Sequence, residues 1–186
     1  MSNLSGREWW IANQSRYPNS RDLNDLQADF GANVTRFVDT LREARATVNI
    51  RSTRRNPIRA YLMHYCWRVA NGDLDPADVP TKTGVNIKWD HGNDRVSRNA
   101  AREMVRLFGL AFRPSLTSNH IRGKAIDMTI RWRGDLFLGP LPNGGFQGIV
   151  EGPRNGARNR ELHEIGELYG VRKLLSDPPH WSHNGR

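Results

Sequence analysis

The chain has 186 residues, of which 37% are hydrophobic and six are tryptophan, and its formal net charge is +9. That is enough apolar content for a real core and excludes a disordered polymer, while the charge asks for an anionic partner without naming one. The single cysteine, Cys66, excludes an internal disulfide and a cysteine-rich metal site.

No run of about 18 apolar residues occurs, so no membrane span is expected. The opening MSNLSGREWWIANQSRYPNS lacks a basic stretch followed by an apolar one, so no secretory signal is expected. From Ser20, a candidate N-cap, apolar residues fall at Leu23, Leu26, Phe30, Val34, Phe37, Val38 and Leu41, the spacing of one helical face. TVNIRST alternates Val48 and Ile50 with polar neighbours and predicts a short half-buried strand. Pro57 suits the first turn of a second helix carrying Ile58, Tyr61, Leu62, Tyr65 and Val69, which Asn71-Gly72 ends. Cys66 lies in this run and is expected to be a small core residue.

Residues 72–93 are polar and broken by glycine and proline, which predicts a long surface loop. A third helix is predicted from Asp94, with Val96, Ala100, Met104, Val105 and Phe108, stopping at Gly109. KAIDMTIRW predicts a strand with Ile126, Met128 and Ile130 on one face and Asp127 and Thr129 on the other. LGPLPNGGFQGIVEGPRNGARNR reads as loop, RELHEIGELYGV as a short helix and RKLL as a short strand. Helices interleaved with short strands, without a regular βαβ rhythm, predict an α+β fold with a small, mainly antiparallel sheet. One domain is expected, with a helical segment over 1–47 packed on a core over 48–186.

Asp127 poses the chemical question. A carboxylate between Ile126 and Met128 needs a cation, donors or a partner that takes its charge. His120 lies seven residues earlier, and Gly123 between them lets the chain bend back. In SDPPHWS a second histidine, His180, is held by Pro178 and Pro179, with Asp177 three residues before it. Two histidines and a carboxylate are the three-ligand set of catalytic zinc, whose fourth position is left for water. A further carboxylate that is not a ligand is what metal-assisted hydrolysis uses to move protons.

SNHIRGKAID fits Ser-x-His-x-x-Gly-x-Ala-x-Asp, and DPPHW fits a closing Asp/Glu-x-x-His-Trp. Paired in this order, over roughly Val48 to Trp181, they resemble the zinc peptidases of peptidoglycan metabolism. These are the D-Ala-D-Ala carboxypeptidases and dipeptidases and the phage L-alanyl-D-glutamate endolysins, whose fold the Hedgehog signalling domain shares. The resemblance implies Zn2+ held by His120, Asp127 and His180, with Asp177 as catalytic acid/base. Carboxypeptidase-like members usually carry Glu where Asp177 stands, and the endolysin-like branch commonly carries Asp, so an L-Ala-D-Glu endopeptidase is favoured over a D,D-carboxypeptidase. In IRSTRR, Arg55 takes the place of the family's substrate-facing arginine, to bind a substrate carboxylate or steady an oxyanion. Arg54 replaces the usual aromatic, so either arginine is a candidate to face the substrate. Ser118 opens the first motif as a candidate to hydrogen-bond substrate or a ligand.

The other histidines carry plainer expectations: His64 at the core or its boundary, His91 in a loop, His163 at the surface. His183 is the rival ligand to His180, and Trp181 is expected either to shield the metal or to pack. By the resemblance the partner is anionic peptidoglycan and the protein a monomer, made without a signal peptide in the cytoplasm. It would reach the wall by phage-type release or injection by a secretion system. Two alternatives stand beside it. One is a metal-bearing wall-binding module of the same fold without catalysis, against which Asp177 argues. The other is a basic nucleic-acid-binding protein. That one leaves the His/Asp/His set unexplained and lacks zinc-finger spacing, an RNP-like motif or a basic arm, so nucleic acid is not expected.

Overall fold

A computed structural model describes residues 3–186. In chain order it has α1 (Arg7–Asn13), α2 (Ala28–Glu43), β1 (Thr47–Ser52), α3 (Pro57–Asn71), α4 (Asp94–Phe108), β2 (Ala125–Arg131), β3 (Leu136–Leu138), β4 (Gln147–Ile149), α5 (Arg160–Leu168), β5 (Arg172–Lys173) and β6 (His180–Ser182). The class is α+β, with a four-stranded antiparallel sheet in the order β1-β2-β6-β5 and a separate β3-β4 hairpin. Among the described residues no helix is long and apolar enough to cross a membrane. The chain divides into two compact units, each discontinuous in sequence: residues 3–18 with Asn56–Ser118, and Asn19–Arg55 with Asn119–Arg186. Of the N-terminal segment, residues 3–18 fall in the first unit and 19–47 in the second.

The first unit is helical. Asn56 accepts from the main-chain N–H groups of Ile58 and Arg59, Pro57 opens α3, and Gly72 at φ 83° ends it. Asn93 caps α4 through the N–H of Val96. Tyr61, Leu62, Tyr65, Cys66 and Val69 of α3 pack with Ala101 and Met104 of α4 and with Trp9, Trp10 and Trp89. Cys66 is fully buried, and burial pushes its thiol well above the usual range, so it is an inert core residue. The region between α3 and α4 is loop apart from one 3-10 turn, Pro76–Asp78.

The second unit carries the sheet. Phe30, Val34, Phe37, Val38 and Leu41 form one stripe of α2 and bury against Ile126, Met128 and Ile130 of β2 and Trp181 of β6. Strand alternation then turns Asp127 and Thr129 to the opposite, half-buried face. Gly166 brings α5 close: a Cβ there would lie 2.6 Å from the Val171 oxygen and 2.8 Å from the Trp181 ring. The helix predicted from Ser20 begins later. Asp22 caps a short 3-10 turn over Leu23–Asp25, Leu26 and Gln27 are extended, and α2 starts at Ala28. The β3-β4 hairpin lies in and beside a stretch expected to be loop, and β6 is formed by the closing HWS.

Candidate metal centre

The site belongs to the second unit and is built by strand register. β2 pairs β6 with Asp127 opposite His180 and Ile126 opposite Trp181. Directly opposed residues share a face. Trp181 therefore joins Ile126 in the core, where it is fully buried, while His180 joins Asp127 on the other side. Of the two expectations for Trp181, packing is the one observed.

His120 arrives from a turn rather than a strand. The N–H groups of Arg122 and Lys124 donate to the Asn119 oxygen, and that of Gly123 to the His120 oxygen. Gly123 has φ +67°, and a Cβ on it would stand 2.9 Å from the main-chain nitrogen of Gln27. Only glycine fits both the left-handed backbone and this approach.

Three atoms converge. His120 Nε2 and Asp127 Oδ1 are 3.1 Å apart, His180 Nδ1 and Asp127 Oδ1 3.1 Å, and the two ring nitrogens 3.2 Å. The distal nitrogens are already committed. His120 Nδ1 lies 2.6 Å from the Thr53 main-chain oxygen and His180 Nε2 3.2 Å from that of Arg186. A carbonyl only accepts, so both distal nitrogens carry the proton and donate. With both rings neutral, that leaves two ring lone pairs and a carboxylate oxygen pointing at one another, an arrangement that suits a cation between them. Ligand edges in a tetrahedral centre with bonds of about 2.0 Å are about 3.3 Å, which the observed triangle matches. Burial raises the Asp127 carboxyl pKa, but the two imidazoles beside it outweigh burial and hold it well below the ordinary carboxylate range. His120, Asp127 and His180 can hold a metal ion.

Around this triangle the Thr53–Arg55 segment is clamped from two sides. The Thr53 N–H donates to the Ser20 oxygen, and the Ser20 N–H to the Arg54 oxygen. The Arg55 N–H donates to the His120 oxygen at 3.1 Å. Arg54 is exposed, whereas Arg55 is half-buried and its Nε has no partner. Burial lowers the Arg55 pKa, opposed by Asp127 and Asp177, so its guanidinium lies in the field of both carboxylates. Asp177 is exposed, and its side chain makes no hydrogen bond among the described residues. Ser118 is half-buried, at the end of the first unit.

Lys173 is the site residue without a sequence signal. It is a buried lysine on β5 whose Nζ donates to the main-chain oxygens of Leu174, Asp177 (2.6 Å) and His180 (3.1 Å). It thereby ties together the turn that carries both Asp177 and His180. Burial pushes the ammonium down to about 8, against the pull of Asp177 and Asp127. His183 lies outside the triangle: its N–H donates to the Lys124 oxygen, and its Nδ1 is buried without a partner. His64 is half-buried with Nδ1 2.8 Å from the Pro114 oxygen, and His91 stands in its loop, Nε2 3.0 Å from Ser5 Oγ. His163, expected at the surface, is instead half-buried. Its Nε2 donates to the Gly156 oxygen at 3.0 Å, and its ring meets Trp181 edge-on at 5.6 Å.

The fold and site thus define an α+β protein with a His/Asp/His cluster able to hold a metal ion. No family model matches the chain, and no curated protein sequence matches it.

Proposed function

We propose that this chain is a zinc-dependent peptidase of the peptidoglycan stem peptide, with the L-Ala-D-Glu bond its favoured target, similar to the phage endolysins and D-Ala-D-Ala carboxypeptidases. The observation that carries the reading is the triangle of three inward lone-pair atoms, 3.1–3.2 Å on an edge, with an exposed carboxylate and a half-buried arginine nearby. Two nitrogens and one oxygen suit zinc. When bound, a zinc ion there would polarise a peptide carbonyl and acidify water.

The remaining steps fall to this chain's residues. Asp177, exposed and unpaired, takes the proton of the attacking water and returns it to the leaving amine. Arg55, whose guanidinium lies in the field of Asp127 and Asp177, donates to the developing oxyanion or to a substrate carboxylate. Lys173 holds the Asp177–His180 turn, so that the proton carrier and a ligand keep a fixed distance. The net charge of +9 favours residence on an anionic wall.

The test is digestion of purified peptidoglycan by the zinc-loaded protein, with mass analysis of the fragments. The expected result is release of pieces with one new amine and one new carboxyl at a single stem bond, abolished by a chelator. Intact peptidoglycan after incubation with protein carrying about one zinc per chain would overturn the reading.

A further inference from the structure

Next to the metal centre lies a cleft of about 350 Å³. Its floor includes Thr129, two residues beyond Asp127 and on the same face of β2, about 7 Å along the strand. One wall is Pro178-Pro179, the segment between Asp177 and His180. The cleft therefore begins where the metal site ends, within the same unit.

What lines it is charged in one sense only. Arg51 and Arg131 both contribute, with Asn155, whose backbone bridges Arg131, and no acidic residue does. The pairing of β1 with β2 slips between Ile50, opposite Met128, and Ser52, opposite Asp127, so Arg51 is the extra residue of a bulge. A bulge re-aims a side chain. Here Arg51 reaches across so that its Nε donates to Thr129 Oγ1 at 3.0 Å. That bond fixes the guanidinium and leaves its two terminal nitrogens without a protein partner among the described residues. The Arg131 side chain likewise has no hydrogen-bond or ion-pair partner among the described residues. Prolines bring no N–H to their wall, so recognition rests on the two guanidinium groups and Asn155.

Two exposed guanidinium groups with terminal nitrogens unengaged among the described residues, one of them fixed through its bond to Thr129, in a cleft of about 350 Å³ fit a carboxylate. We propose that Arg51 and Arg131 form a carboxylate-binding subsite of the metal centre, selecting peptides with an anionic residue beside the cleaved bond. The proposal rests on the peptidase reading above and adds which residues of this chain, Arg51 and Arg131, would recognise the free carboxylate beside the cleaved bond.

The test uses N-acylated L-Ala-γ-D-Glu-L-Lys with its free α-carboxylate and the same peptide with that carboxylate amidated. The wild-type protein should favour the acid by about 10–100-fold in kcat/KM, the scale of a hydrogen bond to a charged group, mostly through KM. Arg51→Gln with Arg131→Gln should bring the acid-to-amide ratio to about one while metal content stays unchanged. Equal cleavage of both peptides by the wild type, or a preference kept by the double variant, overturns the subsite. Calorimetric binding of the two peptides to the zinc-loaded protein decides the matter even if neither is cleaved. Tighter binding of the acid, lost in the double variant, supports the subsite though the peptidase reading has failed, and equal binding overturns it.

Discussion

Asp127 and His180 face each other across two antiparallel strands, with Oδ1 and Nδ1 3.1 Å apart. The register makes them a pair, and His120 closes the triangle from a turn. Each of His120→Ala, Asp127→Ala and His180→Ala removes one of three donors, so each should take zinc from about one per chain to near zero after desalting. His183→Ala should leave the metal in place, because His183 contributes no atom to the triangle. Elemental analysis of the four purified variants decides it, and full zinc in His180→Ala would sink the assignment.

Gly123 tests whether the turn sets the third ligand. An alanine there must adopt a left-handed backbone, at a cost of about 1–2 kcal/mol, and its Cβ would crowd the Gln27 nitrogen. Since the Gly123 N–H donates to the His120 oxygen, the strain falls on the residue bearing a ligand. Gly123→Ala should therefore lower both unfolding free energy and zinc affinity. Denaturant titration and competition with a chromophoric chelator measure the two. Unchanged zinc affinity in a destabilised protein would mean that His120 is held by Thr53 alone.

What could be read in the sequence follows from how local each signal is. α3 was legible because Pro57 and Gly72 bracket it, and β2 because Ile126, Met128 and Ile130 alternate with polar residues over seven positions. α1 is only seven residues with adjacent tryptophans, and β3, β4 and β6 have three residues each, too few for a period to show. The extended break at Leu26-Gln27 hid because helical spacing of apolar residues runs straight through it. At the site, the three residues that converge stand out in SNHIRGKAID and DPPHW. Their supports do not: Thr53 and Arg186 act through main-chain oxygens, which have no residue signature, and Lys173 looks like any surface lysine until β5 pairs with β6. His163 was misplaced for the same reason, since its burial comes from Trp181, far away in the chain.

His163 gives a pH-dependent test. Burial lowers its pKa below 6.5, outweighing the hydrogen bond to the Gly156 oxygen. The unfolded chain then binds the proton first as pH falls, so this group's stabilising contribution is present above about pH 6.5 and is lost as pH drops toward the folded pKa. His163→Gln keeps a side-chain N–H for Gly156 and removes the titration. At equal metal loading, the stability difference between wild type and His163→Gln should shift against the wild type on acidification from pH 7 to 5. A difference that stays flat over this range would show that His163 titrates alike in both states.

Asp177 separates proton transfer from metal binding. It sits three residues before His180, on a turn closed by the His180 N–H to the Asp177 oxygen at 3.0 Å and tied by Lys173. Its carboxylate is exposed and lies outside the triangle. Asp177→Asn preserves size and keeps these main-chain bonds, but an amide does not accept a proton at neutral pH. Zinc content and Tm should therefore stay at wild-type values while turnover falls by about 10²–10⁴, the usual scale of general acid–base catalysis. Loss of zinc would make Asp177 a ligand, and full activity would move the proton carrier elsewhere. Asp177→Glu refines the answer: it restores the proton acceptor one methylene further out, so turnover should recover in part, with no change in zinc content. Recovery by Glu but not by Asn assigns the effect to the carboxylate itself and not to the shape of the turn.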